Sequence, residues 1–198
     1  MKKNFEKFYI VGKGGYGKQL SMMLKENEII KSNIFVDDKL KFNLKKFSKL
    51  REKIYFNIFV GKPYHREKIY FLLKKKNLIY STLILSNSNI YTNKIGSGCI
   101  IEHYVLLANN VKLGIGCFIL TGSVIGHDSA IGNFCNIGTN VTISGNVKVG
   151  KKVSIGSQSF ISDNIKICQN VVIAPGSVVL KDIVKPGIYN GNTYIKSQ

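Results

Sequence analysis

The sequence predicts a small α/β domain of the Rossmann-like βαβ type followed by a parallel β-helix of hexapeptide repeats. Three observations carry this. Aliphatic residues recur every six positions over most of the second half. A glycine-rich turn stands between an apolar strand and an amphipathic stretch near the N-terminus. Strand-like and helix-like segments alternate between them, as a parallel α/β sheet requires.

The repeat is the stronger signal. Stepping by six from Ile95 reaches Ile101, Leu107, Leu113 and so on to Ile173 and Val179, and all fifteen positions are Ile, Leu or Val. Four places further into each hexad stand small or β-branched residues, among them Cys99, Cys117, Cys135, Val141, Val147 and Ser159. Seven of the residues directly after the aliphatic place are glycine. A helix of period 3.6 cannot hold this register. One hexad makes one short strand and one corner, and three hexads close a coil. Coils stack at the strand spacing of about 4.8 Å. Fifteen hexads predict five coils running from about Ile95 to Val184, with glycine relaxing the backbone at the turns.

The first half reads as strands at 8–11, 33–36, 54–60 and 78–80 with helical stretches at 18–27 and 64–76. Gly12, Gly14 and Gly17 follow a strand and precede a helix in the G-x-G-x-x-G pattern, and Asp37 and Asp38 stand about 20 residues on. Such glycines let backbone approach a phosphate at a helix N-terminus. A nucleotide-linked ligand, NAD(P), and a tight turn with no ligand are all compatible with the motif. The domain is about half the size of a full dinucleotide fold, which disfavours NAD(P).

Charge and cysteines bound the function. The chain carries a net +18, of which residues 1–94 hold +14. A basic half suggests an anionic partner. The charge is mostly scattered lysine in a Lys/Asn/Ile-rich composition, so nucleic acid is not expected as a partner. The four cysteines lack the spacing of zinc ligands or of a short disulfide framework. They read as small interior residues, and no metal is expected. No apolar run reaches the roughly 18 residues of a membrane span, and the N-terminus lacks a signal-peptide core. A cytoplasmic protein without membrane insertion is the expectation.

Two segments sharpen this. The [LIV]-[GAS]-x-x-[STAVC]-x pattern resembles the bacterial hexapeptide acyltransferases, which implies a left-handed parallel β-helix. The order YIVGKGGYG, IFVDD, IFVGK and then IGHDSAIGNFCNIG is similar, over nearly the whole chain, to the sialic-acid O-acetyltransferase and UDP-4-amino-sugar N-acetyltransferase family of hexapeptide-repeat sugar acyltransferases. The resemblance implies that residues 1–84 form a nucleotide-sugar-binding domain. It implies that residues 85–198 form a β-helix that binds acetyl-CoA and assembles as a homotrimer.

Matched residue by residue, the resemblance makes His127 the catalytic base and Asp128 its acidic neighbour. Gly14, Gly15, Tyr16, Asp37, Asp38 and Gly61 match nucleotide-sugar positions. Gly145 matches a backbone amide near the thioester carbonyl. Asn136 falls where some members carry a second histidine on acetyl-CoA, and Ser157 and Pro175 align with coenzyme-contacting positions. The C-terminus departs from the pattern, since Lys196 stands one place late for a role near the coenzyme phosphates.

The expected reaction is direct acetyl transfer from acetyl-CoA, as co-substrate, to the amine of a nucleotide-linked amino sugar in bacterial surface glycan biosynthesis. Histidine suits the required deprotonation. A carboxylate on its other ring nitrogen fixes the tautomer, and a positioned amide serves the oxyanion. O-acetylation of a sialic-acid-type sugar and a non-catalytic β-helix scaffold remain the alternatives.

Overall fold

A computed structural model of the protein describes residues 5–36, 54–74 and 78–197. The first part is a four-stranded, wholly parallel sheet in the order β2-β1-β3-β4, formed by β1 (Phe5–Val11), β2 (Ile30–Val36), β3 (Ile54–Ile58) and β4 (Leu78–Tyr80). Helix α1 (Gly15–Glu26) follows β1, and α2 (Pro63–Leu73) follows β3. α1 buries Gly17, Leu20, Ser21 and Leu24, the one-sided spacing of an amphipathic helix. α2 begins with Pro63 in its first turn, where the missing N–H costs nothing.

The order of strands makes β1 and β3 neighbours with their connections leaving in opposite directions. The crevice beyond their carboxyl ends is the usual ligand position of an open α/β sheet. Gly12 to Gly15 stand on one side of it and Phe59 to Gly61 on the other.

The second part is a parallel β-solenoid of about six turns. Strands of two or three residues stack into three faces. The first holds β5 (Leu83–Ile84), β7 (Ile100–Ile101), β10 (Phe118–Ile119), β13 (Asn136–Ile137), β16 (Ser154–Ile155) and β19 (Val171–Ile173), closed by β21 (Gly187–Asn190) and β22 (Thr193–Lys196). The second holds β6 (Asn89–Ile90), β8 (Leu106–Leu107), β11 (Val124–Ile125), β14 (Thr142–Ile143), β17 (Phe160–Ile161) and β20 (Val178–Val179). The third holds β9 (Lys112–Leu113), β12 (Ala130–Ile131), β15 (Lys148–Val149) and β18 (Lys166–Ile167).

The aliphatic ladder fills the interior, as the repeat predicts: Ile101, Ile119, Ile137 and Ile143 are fully buried. So are Cys99, Cys117 and Cys135, free thiols whose Sγ atoms lie 3.0–3.1 Å from carbonyls fifteen residues ahead.

Two details correct the sequence reading. The solenoid begins before Ile95 and exceeds five coils. Ile84 pairs with Ile101 and Ile90 with Leu107, a spacing of 17 rather than 18. One residue is missing between Ile90 and Ile95, so counting back by six lands on Asn89 and Leu83 and loses the first coil. The glycines after the aliphatic place also act differently from expectation. None of the seven has a left-handed φ. A Cβ at Gly126 would instead stand 2.5 Å from the Ser144 backbone, and one at Gly132 2.7 Å from Gly150. They permit coil-to-coil approach. The left-handed turn falls two places later, at residues such as Asn110, Asp128, Phe134 and Asn146, and Gly or Asn hold nine of these fourteen places.

The three faces differ outside. The first is covered by the α/β unit: Leu83, Leu85, Ile100 and Phe118 pack with Phe8, Ile10, Leu20 and Leu24. The second shows a mostly apolar column, Leu106, Val124, Phe160 and Val178, interrupted by Thr142. The third shows Lys112, Lys148 and Lys166. Among the described residues no helix is long and apolar enough to cross a membrane.

Candidate active site

His127 and Asp128 form the corner between β11 on the second face and β12 on the third. Asp128 takes the left-handed conformation, φ 59°, which aspartate tolerates better than most residues. That turn brings its carboxylate back to its neighbour. His127 Nδ1 lies 2.8 Å from Asp128 Oδ2, and both side chains are open to solvent, at 61% and 48% exposure. An Nδ1–H donated to Asp128 leaves Nε2 as the free acceptor.

Asn110, one coil below, donates from Nδ2 to Asp128 Oδ1 at 3.2 Å. These bonds, His127 first and Asn110 second, hold the Asp128 carboxyl below its ordinary value. The carboxylate is therefore anionic at neutral pH.

Gly145 lies one coil above, and the ladder bond from Asn146 N–H to the His127 carbonyl, 2.9 Å, fixes that register. The imidazole lies across Gly145 so closely that a Cβ there would be 2.6 Å from His127 Nε2. No partner accepts from the Gly145 N–H among the described residues. The corner thus unites His127, Asp128 and Gly145 and adds Asn110. The eighteen-residue stacking that locates Gly145 above His127 also locates Asn110 below Asp128.

Other predicted positions lie elsewhere. Gly14 and Gly15 are exposed at the N-terminus of α1, with open space where a Cβ would stand and no side-chain cap on the helix. Gly12 and Gly17 are the glycines the turn itself needs. Gly12 has φ 117°, and a Cβ on Gly17 would run into the Gly12 carbonyl. Gly61 is exposed on the far side of the crevice. Asp37 and Asp38 follow β2 directly and lie outside the described residues.

Tyr16 is half-buried and turned to the solenoid, where its hydroxyl donates to Glu102 Oε1 at 3.1 Å. Burial, then the Glu102 charge, pushes its phenol well up. Glu102 is itself buried and accepts from Thr121 N–H and Oγ1 at 3.1 and 2.9 Å.

Asn136 stands on the first face, away from the His127 corner. Its Oδ1 accepts from Arg66 Nη2 at 2.6 Å, and its Nδ2 donates to the Gly61 carbonyl at 2.6 Å. Ser157 and Pro175 stack one coil apart at the corner between the first and second faces, not at the His127 corner. Lys196 is exposed on β22. His103 is half-buried at the seam, its Nδ1 3.1 Å from the Ser86 carbonyl, and His65 is exposed on α2. Among the described residues no group of three or more His, Cys, Asp or Glu is placed to hold a metal ion.

Arg66 and Glu102 are the residues that sequence reading missed. Each is a charged side chain in a segment patterned like its neighbours, and each has at least one partner on the other structural unit.

No sequence-family model and no curated protein sequence matches the chain. Solved structures do. The acetyltransferase domain of PglB from Neisseria gonorrhoeae, in complex with acetyl coenzyme A, superposes with TM-score 0.86 at 19% identity, covering 97% of this chain and 99% of that one. A mutant perosamine N-acetyltransferase from Caulobacter crescentus, in complex with CoA and GDP-perosamine, gives 0.81 at 18% identity, with 97% of each chain covered. WeeI from Acinetobacter baumannii gives 0.77 at 20% identity, covering 96% and 99%. At these identities the likeness is one of fold, and it spans both structural units.

Proposed function

We propose that the protein is an acetyl-CoA-dependent acetyltransferase acting on the amine of a nucleotide-linked amino sugar, in the biosynthesis of bacterial surface glycans in the cytoplasm. The observation that carries this is the solvent-open His127–Asp128 pair lying directly beneath Gly145 on a solenoid whose fold-mates hold acetyl-CoA, CoA and GDP-perosamine. We read the solenoid as left-handed and the first unit as Rossmann-like, with the division near residue 84. The full-length superposition supports both readings.

In this reading His127 Nε2 removes the proton of the attacking amine. Asp128 holds Nδ1–H and stabilises the imidazolium, and Asn110 keeps the carboxylate oriented. The new C–N bond forms as the C–S bond of the thioester breaks, and the proton passes from His127 to the departing thiolate. The Gly145 N–H serves the carbonyl oxygen as charge gathers on it, a contribution of about 3 kcal/mol for one well-placed donor. The three interior cysteines are fully buried inside the solenoid and take no part. Cys135 is fully buried, and that burial pushes its thiol up, away from the nucleophilic thiolate.

The nucleotide-sugar is assigned to the crevice between Gly14-Gly15 and Gly61, with Asp37 and Asp38 expected beside it. A homotrimer is supported by the second face, whose mostly apolar column is, among the described residues, uncovered by the α/β unit and free of lysine. Packing copies along that face would bring the Ser157–Pro175 corner of one protomer towards the His127 corner of the next, enclosing a groove for the coenzyme.

The test is thiol release from acetyl-CoA in the presence of UDP-, GDP- and TDP-linked amino sugars and CMP-sialic acid. Release with one nucleotide-amino sugar is expected. No release with any acceptor would overturn the reading.

A further inference from the structure

We infer that Arg66 is a positioning residue that pins the Gly61 carbonyl and the Asn136 amide into one wall of the cleft between the α/β unit and the solenoid. The inference rests on the acetyltransferase reading for what the cleft receives, not for the pinning itself.

Arg66 occupies a core place on α2, in the series Arg66, Ile69, Tyr70, Leu73, and is fully buried. Its guanidinium spends every donor on the seam. Nε donates to the Gly116 carbonyl at 2.9 Å. Nη1 donates to Val60 at 2.7 Å and Gly61 at 3.3 Å. Nη2 donates to the carbonyls of Phe134 and Cys135, both 3.3 Å, and to Asn136 Oδ1 at 2.6 Å. The Phe118 ring lies against it, 3.8 Å from Cζ to the centroid. No carboxylate pairs with it among the described residues.

A buried cation without a counter-ion is an expensive way to join two units. A methionine or leucine of similar volume usually stabilises as well or better. What the guanidinium supplies and a hydrocarbon does not is a fixed fork of five directions. Those directions end on the Val60–Gly61 loop at the carboxyl end of β3 and on two stacked solenoid turns, at Gly116 and at Phe134–Asn136. Asn136 then closes the ring by donating to the Gly61 carbonyl. Gly61 is held from both sides although its own surroundings are open. Gly61 and Asn136 both line a cleft of about 510 Å³ that also has Lys62, Tyr64 and Lys152 on its walls. The cleft adjoins the nucleotide crevice through Gly61. Lys152 is ion-paired with Glu67 at 2.9 Å, so Lys62 and the Tyr64 ring are the lining that suits the part of an anionic nucleotide-sugar that leaves that crevice.

Arg66→Met and Arg66→Lys, in the full-length protein, test this with two readouts. The first is hydrogen exchange, which needs no substrate. Residues 60–64 should exchange at least tenfold faster in Arg66→Met, with the His127–Gly145 corner unchanged and Arg66→Lys intermediate. The second is steady-state kinetics. KM for the nucleotide-sugar should rise at least tenfold, with kcat and KM for acetyl-CoA within threefold of wild type. Unchanged exchange at residues 60–64 in both variants overturns the proposal. So does a fall in apparent kcat in proportion to the folded fraction with both KM values unchanged. If Arg66→Met does not fold, Arg66→Lys alone decides, since lysine keeps the charge but cannot reach both the loop and the solenoid turns. If wild type transfers acetyl to no sugar while exchange responds as expected, the acetyltransferase reading fails and the pinning stands.

Discussion

Two neighbouring corners of the solenoid share one backbone and do opposite things. Asp128 and Phe134 occupy the same place in successive hexads, with φ of 59° and 57°. At the first, a short charged side chain stays in solvent and pairs with His127. At the second, an aromatic ring is buried against Tyr70 of α2, 5.5 Å between centroids, and its carbonyl accepts from Arg66. The repeat sets where a left-handed residue must stand. The side chain placed there decides whether the corner stays open to solvent or docks against the α/β unit. The corner proposed as reactive is assembled by stacking at a fixed eighteen-residue interval. The docking corner depends on partners fifty to seventy residues away.

Substitutions at the two corners should therefore separate activity from stability. His127→Ala is expected to lower kcat/KM by about 10²–10⁴, the worth of a general base, with the assembly intact. Retention of more than a tenth of wild-type kcat/KM would remove His127 from the mechanism. Phe134→Ala should do the reverse, destabilising by about 3 kcal/mol through the lost buried ring. Urea unfolding measures it, and a loss below a third of that would mean the docking corner contributes little.

Gly145→Ala sharpens the contrast within the reactive corner. Its Cβ would fall 2.6 Å from His127 Nε2, so the ring must move, and turnover should fall by at least tenfold while urea unfolding changes little. Wild-type turnover in that variant would mean the His127 ring does not work from this position.

Asp128→Asn should have the smallest effect. We expect a several-fold loss in kcat/KM and a changed pH–rate profile. An unchanged rate and profile would leave Asp128 without a role in tuning the base. The sign for stability follows from its depressed pKa. The folded-state advantage of the carboxylate is complete above the ordinary value of 3.8 and disappears as pH falls through the lower folded value. The melting temperatures of wild type and Asp128→Asn should therefore converge only in acid.

Much of the solenoid was legible from residue order alone. A strict period of six leaves one architecture in which Ile101, Ile119 and Ile137 all point inward, and the same arithmetic stacks Gly145 over His127. It failed where the period slips, between Ile90 and Ile95, since a single missing residue shifts every earlier assignment by one. It also misjudged the glycines of the second place, because backbone approach between coils is a contact of residues eighteen apart and leaves no local signature. The turn glycines of the first unit were legible as a motif. Which of them serve the turn and which stand open was not: Gly12 and Gly17 are crowded by backbone, while Gly14 and Gly15 are free.

By itself, then, the sequence determined the period, the interior ladder and the stacking of Gly145 one coil above His127, because each depends on regular spacing along one chain; His127 and Asp128 stood out through the family resemblance. Only the tertiary structure decided the roles of Arg66, Glu102 and Asn136. Buried polar groups far apart in sequence are matched by hydrogen-bond geometry across a seam, and no pattern in residue order records which distant carbonyl a guanidinium will meet.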